Sequence, residues 1–285
     1  MTIATGTSKA TGPVKFRWDP DQIPPFPAVA MKALNLMSGT DKSLLELCDL
    51  IRCDPAFSTA VLRLANSPLV AFPKNVTSVM QASMVLGFRN LRRVAFALGL
   101  KTYLRASFTP LMKQCWRHSI ACAIIAERAA KWSFLDNDFA YAAGILHDIG
   151  RVALVTTMPD SYLRVAERGA DQTQDLLQNE RDLCGIDHCQ AGHSLMTSWH
   201  LPEALIEVAT RHHEPDVRLP GAAVVLPPSC ALADALGFAV VNCRTTRSYT
   251  EILAGFPEQA RKCFPADGKE LESNIGNEIR VIESA

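Results

Sequence analysis

Apolar residues in this chain recur every three or four positions and almost never every second one. Residues 111–133, 138–157, 188–199, 202–213 and 229–241 all fit a 3.6-residue period, and 269–283 sets Leu271, Ile275 and Ile282 on one face. A sheet needs period-two alternation, or short β-branched runs between turn signals, and neither is evident. The chain is therefore expected to be all-α. Hydrophobic residues make up 48% of its 285 positions, enough to bury the core of one large or two modest domains.

The first half is punctuated more closely. Residues 1–20, rich in Thr, Ser, Gly and Ala, read as a flexible tail. Asp54-Pro55 sets a capping acid before a proline at the first helical position, where the missing N–H costs nothing. Ser78-Val-Met-Gln81 has capping-box spacing, and Gly87 marks a break before helix resumes at 89–104. Ser107-Phe-Thr-Pro110 suggests a boundary. The expected organisation is an N-terminal helical lobe over 21–106 and a second helical lobe over 107–285.

Charge excludes some partners. With 29 basic and 29 acidic side chains the net charge is zero, which argues against nucleic acid or an anionic membrane as the main partner. No stretch of about 20 apolar residues suggests a membrane span, and the N-terminus lacks the apolar segment of a secretory signal. Nine cysteines, an odd number without a C-x-x-C pair, read as buried thiols of a reduced, cytoplasmic protein.

Seven polar residues interrupt this apolar pattern: His118, His147, Asp148, His188, His212, His213 and Asp234. Five of the chain's seven histidines are among them. Each falls on, or next to, an apolar stripe, and inward ligands from several helices are how helical proteins build a metal site. His118 lines up with Cys122, Ile125 and Ala129, and either a hydrogen bond or a metal would satisfy it. His147 and Asp148 stand in Gly-Ile-Leu-His-Asp-Ile-Gly, where an interior ion pair with Arg151 is the plain alternative. Gly150 costs a helix about 1 kcal/mol against Ala, so something is expected to approach its backbone. His188 follows a capping Asp187, while His193 and His200 lie off the face and read as surface or capping residues. His212 and His213 could serve two ions, or one ion and a substrate oxygen. Asp234 is the one charge in Ser229–Val241 and needs a cation, a proton or a cap. With imidazole and carboxylate ligands and no thiolate in this set, iron or manganese is the expected metal.

The order His…His-Asp…His…His-His…Asp resembles the HD superfamily of metal-dependent phosphohydrolases. The surrounding strings bring it closer to the HD-related output domain (HDOD) family of bacterial signalling proteins. They are Pro24-Pro-Phe-Pro-Ala-Val, Asp54-Pro-Ala, Leu62-Arg-Leu-Ala-Asn-Ser67, Ser83-Met-Val-Leu-Gly-Phe88, Trp116-Arg-His-Ser119, Ala143–Gly150, Gly185-Ile-Asp-His188, Trp199-His-Leu-Pro202 and His212-His-Glu-Pro215. The resemblance implies an N-terminal helical lobe joined to an HD-like helical lobe. It also implies a role as a signal-transduction output module that docks a protein partner, in many members without demonstrated catalysis.

Cyclic-dinucleotide phosphodiesterases of the HD-GYP type resemble the chain at all seven positions. They differ at three others: the lysine after their His-Asp-Ile-Gly is Arg151 here, their Gly-Tyr-Pro is replaced by Glu214-Pro-Asp-Val-Arg, and a glutamate before the first histidine is Gln114. Arginine's planar fork is not equivalent to a compact ammonium beside a phosphate. The resemblance thus implies a non-catalytic signalling module, with a metal-dependent phosphohydrolase acting on a phosphorylated small molecule or nucleotide as the alternative. In the alternative, His147, Asp148 and Arg151 are the catalytic candidates. A third reading, nucleic-acid binding through Arg89, Arg92 and Arg93, is weakened by the neutral charge; the N-terminal lobe and the face around the same arginines are the expected docking surface for a protein partner.

Overall fold

The computed structural model describes residues 18–36, 42–68, 70–104, 109–169, 173–214, 221–241 and 247–284. Most of the tail over 1–20 and the boundary at 106/107 lie outside the described residues. Among the described residues there is no strand, and the protein is all-α. Helices run in the order α1 (Ala28–Asn35), α2 (Lys42–Arg52), α3 (Pro55–Ala65), α4 (Val79–Leu104), α5 (Pro110–Trp132), α6 (Asn137–Leu146), α7 (Ile149–Thr157) and α8 (Pro159–Arg168). They continue with α9 (Thr173–Cys184), α10 (His188–Ser198), α11 (Glu203–Arg211), α12 (Leu226–Ala233), α13 (Tyr249–Leu253), α14 (Glu258–Arg261) and α15 (Gly268–Ser284).

Local signals set several boundaries. Asp54 Oδ1 accepts from the Phe57 amide at 3.1 Å, with Pro55 opening α3 as expected. Ser78 Oγ accepts from the Gln81 amide at 3.1 Å, but the Gln81 side chain reaches one residue further back, to the Thr77 amide at 3.0 Å. Gly87, at φ 76°, bends α4 in the left-handed region that favours glycine.

α1, α2 and α3 pack on α4, while α5 lies against α6, α7 and α12. The C-terminal helix α15 touches α3, α4 and α5, joining the two halves. Lys101 Nζ caps its end, reaching the Glu283 carbonyl at 2.6 Å. Phe26, from the proline-rich opening, stacks on Trp199 with ring centroids 5.0 Å apart.

Two of the three arginines serve this junction. Arg92 is buried, with Nη2 2.6 Å from Asp138 Oδ2 and Nη1 2.6 Å from the Leu36 carbonyl. Arg93 pairs with Glu127 at 2.9 Å and lies over the Tyr141 ring. Of the three, Arg89 alone is exposed. Carboxylates distant in sequence draw Arg92 and Arg93 inward and leave Arg89 as the exposed member of the three.

Gly221–Phe238 has the length and mean hydropathy (1.4 over 18 residues) of a membrane span. It is not one regular rod: a 3₁₀ turn over Gly221–Val225, then α12, then a π turn over Asp234–Phe238. Half of it is buried, and it packs on α5 and α6.

Candidate metal centre

Two glycines let the helices approach closely enough to form the site. A Cβ on Gly144 would lie 2.4 Å from the Ala123 Cα of α5, and one on Gly150 only 1.9 Å from the His188 carbonyl oxygen of α10. The expectation that something approaches Gly150 is met by α10's backbone. These contacts bring α5, α6, α7 and α10 together around the His-Asp dipeptide.

The sequence suggested one helix over 138–157, in which adjacent side chains would diverge by about 100°. Instead α6 ends at Leu146, and Asp148, at φ −101° and ψ 18°, leads into α7. The break turns both side chains toward one point. His188 opens α10 behind Asp187, whose side chain accepts from the Gln190 amide at 2.9 Å. His212 closes α11, and His213 follows it in a turn. His118 lies within α5, and Asp234 where α12 meets the π turn.

Asp148 is the hub. Its Oδ1 lies 3.3 Å from both His188 Nε2 and His212 Nε2, and its Oδ2 3.5 Å from both His118 Nε2 and His147 Nε2. All five residues are buried, none more than 4% exposed. Three imidazoles are fixed from behind. His147 Nδ1 donates to the Gly144 carbonyl at 2.9 Å, His212 Nδ1 to the Ala209 carbonyl at 3.0 Å, and His188 Nδ1 to Glu180 Oε2 at 2.6 Å. Because these partners only accept, each Nδ1 carries the hydrogen, and in the neutral ring each Nε2 presents a lone pair. A hydrogen bond at the outer nitrogen is the usual way a metal-binding histidine is oriented.

Those lone pairs face carboxylate oxygens. The Nε2 atoms of His147, His188 and His212 and both Asp148 oxygens are buried without a hydrogen-bond partner. Arg151 Nε sits 3.0 Å from Asp148 Oδ2 but is not aligned for a hydrogen bond. Each such buried group costs about 1–3 kcal/mol, and acceptors facing acceptors need a proton or a cation between them. The donor set therefore fits a divalent metal.

Electrostatics agree at Asp148, His212 and His213, whereas His188 favours a proton when no metal is bound. Burial opposes the Asp148 charge, yet the Arg151 guanidinium, followed by His147 and His212, holds its carboxyl well below the usual carboxylate range. Burial, with His212 and His188 alongside, pushes His213 well below an ordinary imidazole; burial also lowers His212. At His188 burial is outweighed by Glu180, and the ring is raised well above its ordinary value.

Asp148, His188, His212 and His213 form one group whose ligand atoms all lie within 4.8 Å of one another; His118, His147, Cys122 and Cys230 form a second. Asp234 stands outside both. Its Oδ1 lies 3.2 Å from His118 Nδ1, behind the ring, and its side chain stays 28% exposed. It orients His118 instead of joining the other six at the centre. Arg151 is buried against Asp148, with Nη2 3.4 Å from His213 Nε2. His193 and His200 are exposed, as the sequence implied. Gln114 lines a cavity of about 570 Å³ with Arg117, Phe238 and Arg280, on the outer side of the π turn.

Sequence reasoning missed Glu180, which also accepts from the Tyr162 hydroxyl at 2.7 Å. The signal was present: Leu176, Glu180 and Cys184 are all buried at four-residue spacing on α9. It also left the sulfur atoms out. Cys122 and Cys230 stand 3.4 and 3.6 Å from His118 Nε2, so the absence of thiolate from the expected ligand set does not hold around the centre.

Comparison with known proteins identifies the class of this all-α domain, in which histidines from several helix ends gather on one aspartate. The HDOD domain model matches residues 23–215, more than half of the sequence, and the chain belongs to the HDOD family. It is 25% identical over 215 residues to an uncharacterized protein of Treponema pallidum (strain Nichols), covering 75% of this chain and 41% of that protein. The chain thus spans less than half the length of that relative. In fold it is similar to an HDOD protein of unknown function from Geobacter sulfurreducens, at 24% identity, 92% coverage of each chain and a TM-score of 0.71. It is also similar to a provisionally assigned phosphohydrolase from Shewanella amazonensis SB2B, at 22% identity, with 92% of this chain and 93% of that one covered and a TM-score of 0.63. A provisionally assigned signal transduction protein from Marinobacter aquaeolei VT8 matches at 22% identity, over 92% of this chain and 60% of that one, with a TM-score of 0.66.

Proposed function

We propose that this chain is a bacterial signalling output domain that acts by docking a protein partner. In this reading a divalent metal held by Asp148, His188, His212 and His213 shapes the second half of the molecule, with little or no hydrolysis. One observation carries the reading: Arg151 is buried directly against Asp148. A hydrolytic metal site keeps an open position for water and substrate, whereas a structural site is closed. Here the guanidinium sits beside the carboxylate, and three of the four ligands are buried. Iron or manganese suits the nitrogen and oxygen donors of this half.

A metal-dependent phosphohydrolase is the second reading. It is favoured by His213, which is half-buried, and by the name of the Shewanella neighbour. The test loads purified protein with iron or manganese and offers it cyclic and linear dinucleotides and generic phosphoesters. No turnover is expected, while His147→Ala combined with Asp148→Ala removes the metal. Multiple turnovers that vanish in Asp148→Ala would overturn the non-catalytic reading; unchanged metal content in the double variant would overturn the ligand assignment.

A further inference from the structure

We propose that Cys122 and Cys230, with His118 and His147, form a nitrogen–sulfur metal site selective for zinc, adjoining the nitrogen–oxygen half through Asp148. The inference deepens the metal reading above and rests on it. Its first support is geometric. Tetrahedral zinc, at about 2.3 Å from sulfur and 2.05 Å from nitrogen, places neighbouring sulfur and nitrogen ligands about 3.6 Å apart. His118 Nε2 lies 3.4 Å from Cys122 Sγ and 3.6 Å from Cys230 Sγ. All four ligand atoms lie within 4.8 Å of one another, and all four residues are buried.

The second support is the way the ligands are held. His118 and Cys122 are one turn apart on α5, Cys230 comes from α12, and His147 closes α6. Both imidazoles are oriented from their outer nitrogens: His147 by the Gly144 carbonyl, and His118 by Asp234 and the Phe238 carbonyl, each at 3.2 Å. Two nitrogens and two sulfurs in a closed, buried set match a structural zinc site. Thiolates favour zinc over the harder ions suited to the other half. Zinc would displace the remaining thiol protons to solvent. Asp148, with Oδ2 toward this pocket and Oδ1 toward His188 and His212, is placed to bridge the two halves.

The test uses the whole chain, purified under a non-chelating reductant and given zinc alone. X-ray absorption should show two sulfur scatterers at about 2.3 Å, and the cobalt-substituted protein should show thiolate-to-cobalt charge transfer. Cys122→Ser with Cys230→Ser should remove the sulfur signal and weaken zinc affinity at least tenfold, while His188→Ala with His212→Ala leaves that signal in place. A zinc spectrum with nitrogen and oxygen scatterers alone overturns this proposal and leaves the metal reading standing. So does zinc affinity unchanged by the double serine substitution. Reduced wild-type protein that binds neither zinc nor manganese overturns both. The wild-type spectrum decides the matter even if the variants fail to fold.

Discussion

Replacing Gly150 with alanine sets two effects of opposite sign against each other. On helix propensity alone the change should stabilise α7 by about 1 kcal/mol. Packing predicts the reverse. The new methyl would stand 1.9 Å from the His188 carbonyl oxygen and 2.6 Å from the Gly192 amide nitrogen. Both obstacles are backbone, so no side chain can rotate away. Relieving the oxygen contact from 1.9 Å to an ordinary 3.4 Å requires α10 to retreat by about 1.5 Å. Overpacking of this kind costs about 1–3 kcal/mol, or more where the backbone must move. The net expectation is a loss of about 2 kcal/mol. The same retreat carries His188 Nε2 away from its 3.3 Å approach to Asp148 Oδ1. Urea denaturation of metal-free protein reads the first consequence, and manganese stoichiometry and affinity read the second. A Gly150→Ala protein as stable as wild type, with undiminished metal affinity, would refute the argument that this contact positions the site.

Two further perturbations test the surroundings. Glu180 is lowered from 4.5, where burial is outweighed by His188, and His188 is raised well above 6.5, where burial is outweighed by Glu180. The carboxylate's contribution is present above 4.5 and lost as pH falls through its folded value; the imidazole's is full below 6.5 and lost as pH rises through its own. The metal-free wild type should therefore exceed Glu180→Gln in stability most between about pH 4.5 and 6.5. A pH-independent difference in denaturation midpoints would contradict this. Arg92→Met removes a buried partner of Asp138 and should cost about 3 kcal/mol, whereas exposed Arg89→Ala should change stability by less than about 0.5 kcal/mol; equal effects in urea titrations would deny Arg92 its joining role.

The sequence made the helices legible because periodicity and caps are local. Asp54-Pro55, Gly87 and Asp187 each act within one turn, and each acts as expected. What depends on distant packing was not legible. Arg92 looked like part of a solvated basic run because nothing near it in sequence shows that Asp138 and the Leu36 carbonyl will enclose it. Cys122 was seen to share a face with His118, but the thiol of Cys230, more than a hundred residues on, could be placed beside it only by the packing of α12 on α5.

The candidate ligands were identified on the premise that they occupy helix faces, yet six of the seven stand at or within two residues of helix ends. This difference has a physical consequence. Along a continuous helix, His147 and Asp148 could not share one small ion without splaying; at the junction of α6 and α7 they can. His188 begins α10 and His212 ends α11, so an ion at Asp148 would tie four helix ends together. Helix ends carry the least hydrogen-bonded backbone, and they are where a helix frays first. A bound metal would therefore set the relative positions of α6, α7, α10 and α11 without altering the interior of any of them. If the chain acts as the output domain proposed above, this would matter more than turnover: a change in the centre would reach the surface as a shift between packed helices, a form that a docked partner could read.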